Sequence, residues 1–283
     1  MKDVGKRWMR DPESGKGGYV PRDMTYQEWK EIYVDKTSTM EAWEAKHVDK
    51  SGKSGIIKTD EMAATDKILW PKKGEELTGD QRRELVDYAN QKGIVLKGLR
   101  GSDVDPDLIK EAIDDAEMMI SRIPVLNDNP QRPFTIKVVN GLDSNTFAQT
   151  NRYTSTNVTQ LNVNAFRSKA ALEKEYAKLV KENWFPQGTT YRSIIPHEVG
   201  HMYTQKFRID GFSTAKSVLL NMYGNEYNID EVSAFLRKNL SEYASTEKDH
   251  LCEMVAESFN AHFSNAANNS FADNVVKYLL GGE

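Results

Sequence analysis

From Leu77 onward the apolar positions fall into regular periods. Leu85, Val86 and Ala89 share one face of a helix that opens at Thr78 or Asp80 and stops at Gly93. Behind Asp105-Pro106, Leu108, Ile109, Ala112, Ile113, Ala116 and Ile120 recur at steps of three and four, which predicts a second helix with proline in its first turn. Phe134, Ile136 and Val138 alternate with polar residues, and so do Leu161, Val163 and Ala165, the pattern of half-buried strands. Helical periods follow over 168–183, 192–208, 213–221, 230–241, 247–264 and 270–280. Helices, a few strands and then helices alone predict an α+β domain, mostly helical with a small sheet on one side.

The first 76 residues read differently. Residues 11–20 carry three glycines and a proline, and Thr25-Tyr-Gln-Glu28 is a capping box that opens a short helix with Trp29, Ile32 and Tyr33 on its apolar side. From Lys36 to Glu76 the chain is polar, with Ser-Gly-Lys-Ser-Gly at 51–55 and Pro-Lys-Lys-Gly at 71–74. Such a stretch is either a linker or a segment that wraps onto the main domain through Trp43, Ile56, Ile57 and Trp70. The expected division is an extended N-terminal segment over 1–76 and a folded domain over 77–283.

Composition narrows the chemistry. Of 283 residues, 38 are basic and 42 acidic, a net charge of -4 with no basic stripe, so nucleic acid is not an expected partner. No apolar run approaches the roughly 18 residues that span a bilayer, and the basic start MKDVGKRWMR lacks the apolar run of a secretory signal. The single cysteine, Cys252, rules out an intrachain disulfide framework and a multi-cysteine zinc site. Chemistry must then come from histidines and carboxylates.

They converge in Ser193-Ile-Ile-Pro-His197-Glu198-Val199-Gly200-His201. Two histidines four apart on a helix lie on one face, so both imidazoles reach one metal ion, and Glu198 projects beside them, placed to take a proton from a water that the metal polarises. Ser193 is the expected N-cap, and Pro196 falls in the first turn, where its missing N–H is harmless. Gly200 is costly inside a helix and predicts a close packing partner. A catalytic zinc needs a third protein ligand. The metzincin solution, a histidine six residues after the second, is excluded because Phe207 stands there. Downstream, Glu253 and Glu257 stack at i and i+4 with Ala256 leaving room beside them; a cation and a ligating histidine between such carboxylates would relieve their repulsion. The candidate third ligands are Glu253, Glu257, His250 and Asp249; taken without the His-Glu-x-x-His segment, the glutamate pair would read as a solvated helix face. Residues 157–166 are the candidate strand for pairing with an extended peptide.

The two segments resemble the catalytic centre of the anthrax lethal factor-like gluzincins, which join a His-Glu-x-Gly-His helix to a Ser-x-Tyr…Glu-x-x-Ala-Glu-x-Phe helix; here these are His197–His201 and Ser241-Glu-Tyr243 with Glu253-Met-Val-Ala-Glu257-Ser-Phe259. The resemblance implies a zincin-like metallopeptidase fold, zinc held by His197, His201 and Glu253, Glu198 as general base, Tyr243 hydrogen-bonding the reaction centre, and Glu257 behind a ligand histidine. Tyr243 departs from the pattern: it lies ten residues before Glu253, where the family has seven. The implied partner is a protein or peptide substrate.

A second resemblance sits at the other end. Tyr19-Val-Pro-Arg-Asp-Met-Thr-Tyr26-Gln-Glu-Trp29 is similar to a stretch that follows the head-morphogenesis domain in minor capsid proteins of phages of Gram-positive bacteria. It implies a phage- or prophage-encoded protein found in the virion or the host cytoplasm, with head or portal proteins as further partners. The expected function is a zinc-dependent endopeptidase of gluzincin type associated with a minor capsid protein. The alternative is a structural head component with a non-catalytic or vestigial zinc site. A toxin-like peptidase would rest on fold analogy alone, which does not transmit a substrate.

Overall fold

The computed structural model describes residues 6–10, 17–21, 30, 32, 35, 68–150, 157–224, 232–246, 251–264 and 269–281. The chain divides into two compact units, Met1–Ala64 and Thr65–Glu283. In the first, β1 (Lys6–Arg10) and β2 (Gly17–Pro21) pair antiparallel with Trp8 opposite Tyr19. Lys30 and Ile32 are helical, in line with the helix expected after Thr25, whereas Trp29, Tyr33, Trp43, Ile56 and Ile57 lie outside the described residues.

The second unit is α+β. In chain order it contains α1 (Gly79–Gln91), β3 (Val95–Lys97), α2 (Pro106–Arg122), β4 (Thr135–Val139), β5 (Ala148–Thr150), β6 (Val158–Asn162), α3 (Lys169–Lys181), α4 (Ile194–Phe207), α5 (Gly211–Tyr223), α6 (Val232–Asn239), α7 (Cys252–Phe263) and α8 (Ser270–Leu280). Local signals start the first two helices. Thr78 and Gln81 exchange capping hydrogen bonds before α1, and Asp105 caps α2 with Pro106 in its first turn. The unit also begins earlier than residue 77. Trp70 donates its indole N–H to Ser144 O at 2.6 Å and meets Phe147 edge-on, while Gly74 N donates to Asp103 at 2.7 Å. An aromatic anchor thus draws the polar 68–76 stretch onto the domain, the wrapping alternative rather than the linker. Asp103 is buried against Arg167; burial opposes its charge, but Arg167 and the Gly74 N–H outweigh it and hold its pKa below the usual carboxylate value.

The sheet runs β3–β4–β6–β5, parallel except for β5, which lies antiparallel on β6. This corrects one expectation. The strand over 157–166 is β6, and both its sides are already hydrogen-bonded, to β4 and β5, so it has no edge for a peptide. The edge nearest the motif helix is β5, where the Thr150 hydroxyl donates to Glu198 O at 3.3 Å. Three residues are too few to alternate visibly, and β5 and β3 escape a periodicity reading for that reason. Gly98, at φ +84, lets β3 run close to β4: an added Cβ would lie 2.0 Å from Val138 O.

The core is formed by Ile136, Val138 and Leu161 of the sheet, Leu108, Ile109, Ile113 and Met119 of α2, and Val199 of α4, all under 4% exposed. Each such side chain contributes about 1.5–3 kcal/mol on burial. Among the described residues no helix is long and apolar enough to cross a membrane.

Candidate metal centre

Helix α4 is buried from Ile194 to Thr204, an unusual length for a segment with two histidines and a glutamate. Its start is fixed from outside. Arg192, in the 3₁₀ turn before it, makes a two-point ion pair with Asp115 of α2 at 2.7 and 2.6 Å. Burial pushes the Asp115 pKa up while Arg192 opposes the rise. Ser193 does not cap the helix as expected: the backbone enters from the 3₁₀ turn, and its hydroxyl instead accepts from Thr190 N and from the Ser264 hydroxyl.

Helix α7 crosses α4 at Gly200. A Cβ on Gly200 would stand 2.7 Å from Ala256 Cα and 3.2 Å from Phe259 Cβ, so glycine is required for this approach. The helix is shorter than the 247–264 expected. Leu251 is buried and left-handed at φ 44, and α7 begins only at Cys252; residues 247–250 are outside the described set. Glu253 consequently sits in the first turn, at the positive end of the helix dipole, which favours a carboxylate.

The close crossing brings three donor atoms together. His197 Nε2 and His201 Nε2 are 3.1 Å apart, and Glu253 Oε2 lies 3.4 and 3.2 Å from them. These three residues form the candidate metal-holding group among the described residues. A tetrahedral zinc ion with bonds of about 2.0–2.1 Å spaces neighbouring ligands about 3.3 Å apart, so the triangle has the size of one face of that tetrahedron. Glu257 lies outside it. Its Oε1 is 2.7 Å from His197 Nδ1, which leaves Nε2 as the ligand nitrogen, and its Oε2 accepts from the Ser241 hydroxyl at 3.1 Å. Of the other rivals, His250 and Asp249 are outside the described residues.

Charge balance points the same way. Glu198, Glu253 and Glu257 are at most 4% exposed, and Glu253 and Glu257 lie against the two imidazoles. Burial disfavours an imidazolium at His197, but Glu253 and Glu257 outweigh it and its pKa is pushed up to about 10. A proton is thus retained where two carboxylates demand positive charge, and a divalent cation satisfies the same demand more fully. Glu198 Oε2 is buried with no hydrogen-bond partner among the described residues, an arrangement that is costly unless a ligand or water completes it.

Comparison with known proteins finds no relative: no family model matches the chain, and neither do any curated protein or solved structure.

Tyr243 reaches the site despite its altered spacing. It opens a 3₁₀ turn (Tyr243–Ser245), and its ring lies parallel to that of His197 at 5.8 Å, stacked also with Trp184 at 5.4 Å. Two further residues near the centre were given no role by the sequence: Ser241 opens the Ser-x-Tyr match without one, and Trp184 lies outside any motif. Ser241 supports Glu257, and Trp184 holds the Tyr243 turn by accepting from Tyr243 N at 3.2 Å. His262, Cys252 and Asp105 stand apart from the group: His262 pairs with Asp273, Cys252 is half-buried, and Asp105 caps α2.

Proposed function

We propose that the second unit is a zinc-dependent endopeptidase of gluzincin type with a zincin-like fold. The observation that carries this is the triangle of His197 Nε2, His201 Nε2 and Glu253 Oε2, with edges of 3.1–3.4 Å, on a helix that also carries the buried Glu198. Zinc held by these three residues would supply Lewis acidity, lowering the pKa of a water and polarising the scissile carbonyl.

The protein's own residues supply the rest. Glu198, on the same helix as both imidazoles, accepts the proton from the attacking water and returns it to the leaving amine. At 4% exposure that carboxylate acts in a low dielectric, where its charge is felt strongly. Glu257 fixes His197 in the tautomer whose Nε2 faces the triangle. The Tyr243 phenol, carried next to His197, is the candidate donor to the developing oxyanion. A site that only stabilised the fold would have no use for Glu198, whose buried Oε2 has no hydrogen-bond partner among the described residues. For the first unit, the capsid-protein resemblance supports only a proposal of context, a phage- or prophage-encoded chain that works with head proteins.

The test is hydrolysis of an unstructured protein such as reduced casein by the zinc-loaded chain. Cleavage that stops with chelator and returns with zinc supports the proposal; a fully zinc-loaded chain that cuts nothing across a broad set of peptides counts against it.

A further inference from the structure

The turn that carries Tyr243 and the carboxylate behind His197 meet at one hydroxyl. Ser241 is fully buried, and its Oγ donates to Glu257 Oε2 at 3.1 Å while accepting from Ala244 N at 3.0 Å. The other Glu257 oxygen is 2.7 Å from His197 Nδ1, and Asn260 donates to it at 3.4 Å. Tyr243, two residues beyond Ser241, lies parallel to the His197 ring. A hydroxyl has one hydrogen to give. Here it goes to the carboxylate, and a lone pair caps the turn, so neither bond shifts without the other.

The turn's other side is pinned independently. Glu242 N and Tyr243 N donate to the carbonyls of Asn183 and Trp184 at 2.8 and 3.2 Å, and the Trp184 indole stacks on the Tyr243 ring. Asn183 adopts φ 60 to present that carbonyl. Loss of the Ser241 hydroxyl would therefore release the near side of the turn while the far side stays anchored.

We propose that Ser241 is a positioning residue that couples the metal-ligand shell to Tyr243: one hydroxyl orients Glu257 behind His197 and holds the turn that presents the phenol. This deepens the metallopeptidase proposal and rests on it. The coupling makes metal retention and phenol placement rise and fall together, which two separate structural contacts would not.

The experiment measures zinc affinity by chelator competition, and kcat and KM at saturating zinc, for the unaltered chain, Ser241→Ala and Thr246→Ala. Thr246 is the control because its hydroxyl bonds the Tyr243 carbonyl at 2.8 Å, in the same turn but away from Glu257. Ser241→Ala is expected to bind zinc on the order of tenfold more weakly, the range for residues that orient a ligand, and to lose kcat at saturating zinc with KM unchanged. Thr246→Ala is expected to keep its zinc affinity. Unchanged zinc affinity in Ser241→Ala, unchanged kcat at saturating zinc, or equal weakening in Thr246→Ala would each overturn the coupling. Should Ser241→Ala not fold, amide exchange in the unaltered chain decides: zinc loading slows exchange at Ala244 more than at Leu240, whose bond to the Leu236 carbonyl lies outside the linkage. Equal slowing overturns the coupling. Failure of the unaltered chain to bind zinc is a separate result, visible without any substitution, and defeats the metallopeptidase proposal itself.

Discussion

Helices α1 and α2 and helices α4 and α7 are two packed pairs that treat charge in opposite ways. Between α1 and α2 the charged groups stay outside: Lys110 reaches Glu84 at 2.6 Å, Lys92 bridges Asp114 and Glu117, and apolar residues such as Leu85 and Ile113 fill the seam. Between α4 and α7 the seam itself holds the carboxylates of Glu253 and Glu257 and two imidazoles. Exposed pairs are worth about 0–1 kcal/mol, whereas burying an ion costs several kcal/mol unless it is compensated. The first pair is explained by folding alone. The second has its charge compensated by a proton on His197 or by a bound cation, and the metal-centre proposal rests on that contrast.

The sharpest way to break this contrast is at Glu198. Glu198→Gln keeps size and removes the base, so turnover should fall about 10²–10⁴-fold with zinc content unchanged, measured by peptide cleavage beside metal analysis. A variant that keeps full turnover would remove Glu198 from the role of base. Next in size is the crossing itself. Gly200→Ala places a Cβ 2.7 Å from the backbone of Ala256. Overpacking of about 1–3 kcal/mol should exceed the roughly 1 kcal/mol gained in helix propensity, giving a net loss in urea unfolding. Gly79→Ala in α1 meets only the flexible ends of Arg83 and Arg82, at 3.7 and 3.9 Å, and should be neutral or mildly stabilising.

The pH response should differ in sign between loaded and metal-free protein. The folded pKa of His197 is raised from 6.5 to about 10. Its contribution to the metal-free fold is therefore complete below about pH 6.5 and is lost as pH rises toward 10. In the zinc-loaded chain protons compete with the metal, so stability should instead fall on acidification. Parallel melting curves from pH 6 to 10, with and without zinc, would show the crossing of trends; identical trends would contradict it. The smallest effect is expected outside: Lys110→Ala should move the melting midpoint by no more than about 2 °C, and less in high salt.

Local features were legible in the residues and tertiary ones were not. Thr78, Gln81, Asp105 and Pro106 act within one turn, and their helix starts appear where the sequence predicts them. His197 and His201 share a face by helical period alone. Glu253 could only be ranked among rivals, because its place depends on the Gly200–Ala256 crossing and on the left-handed Leu251 that starts α7 late. The role of Ser241, which stands in the Ser-x-Tyr match, and the place of Trp184 are not legible in the residues, since both act through a 3₁₀ turn that no periodicity announces. The short edge strand β5 leaves no alternation to read, and the alternation of β6 shows that it is half-buried but not that β4 and β5 flank it. The boundary moved from residue 77 into the polar stretch because one tryptophan, Trp70, suffices to anchor it.

Zinc per chain, measured after purification and after offering zinc to the unaltered protein and to Glu253→Ala, bears most directly on the central claim. Near one zinc in the unaltered chain and a large loss in the variant is the predicted result. Little zinc in both, or equal zinc in both, would contradict the site formed by His197, His201 and Glu253.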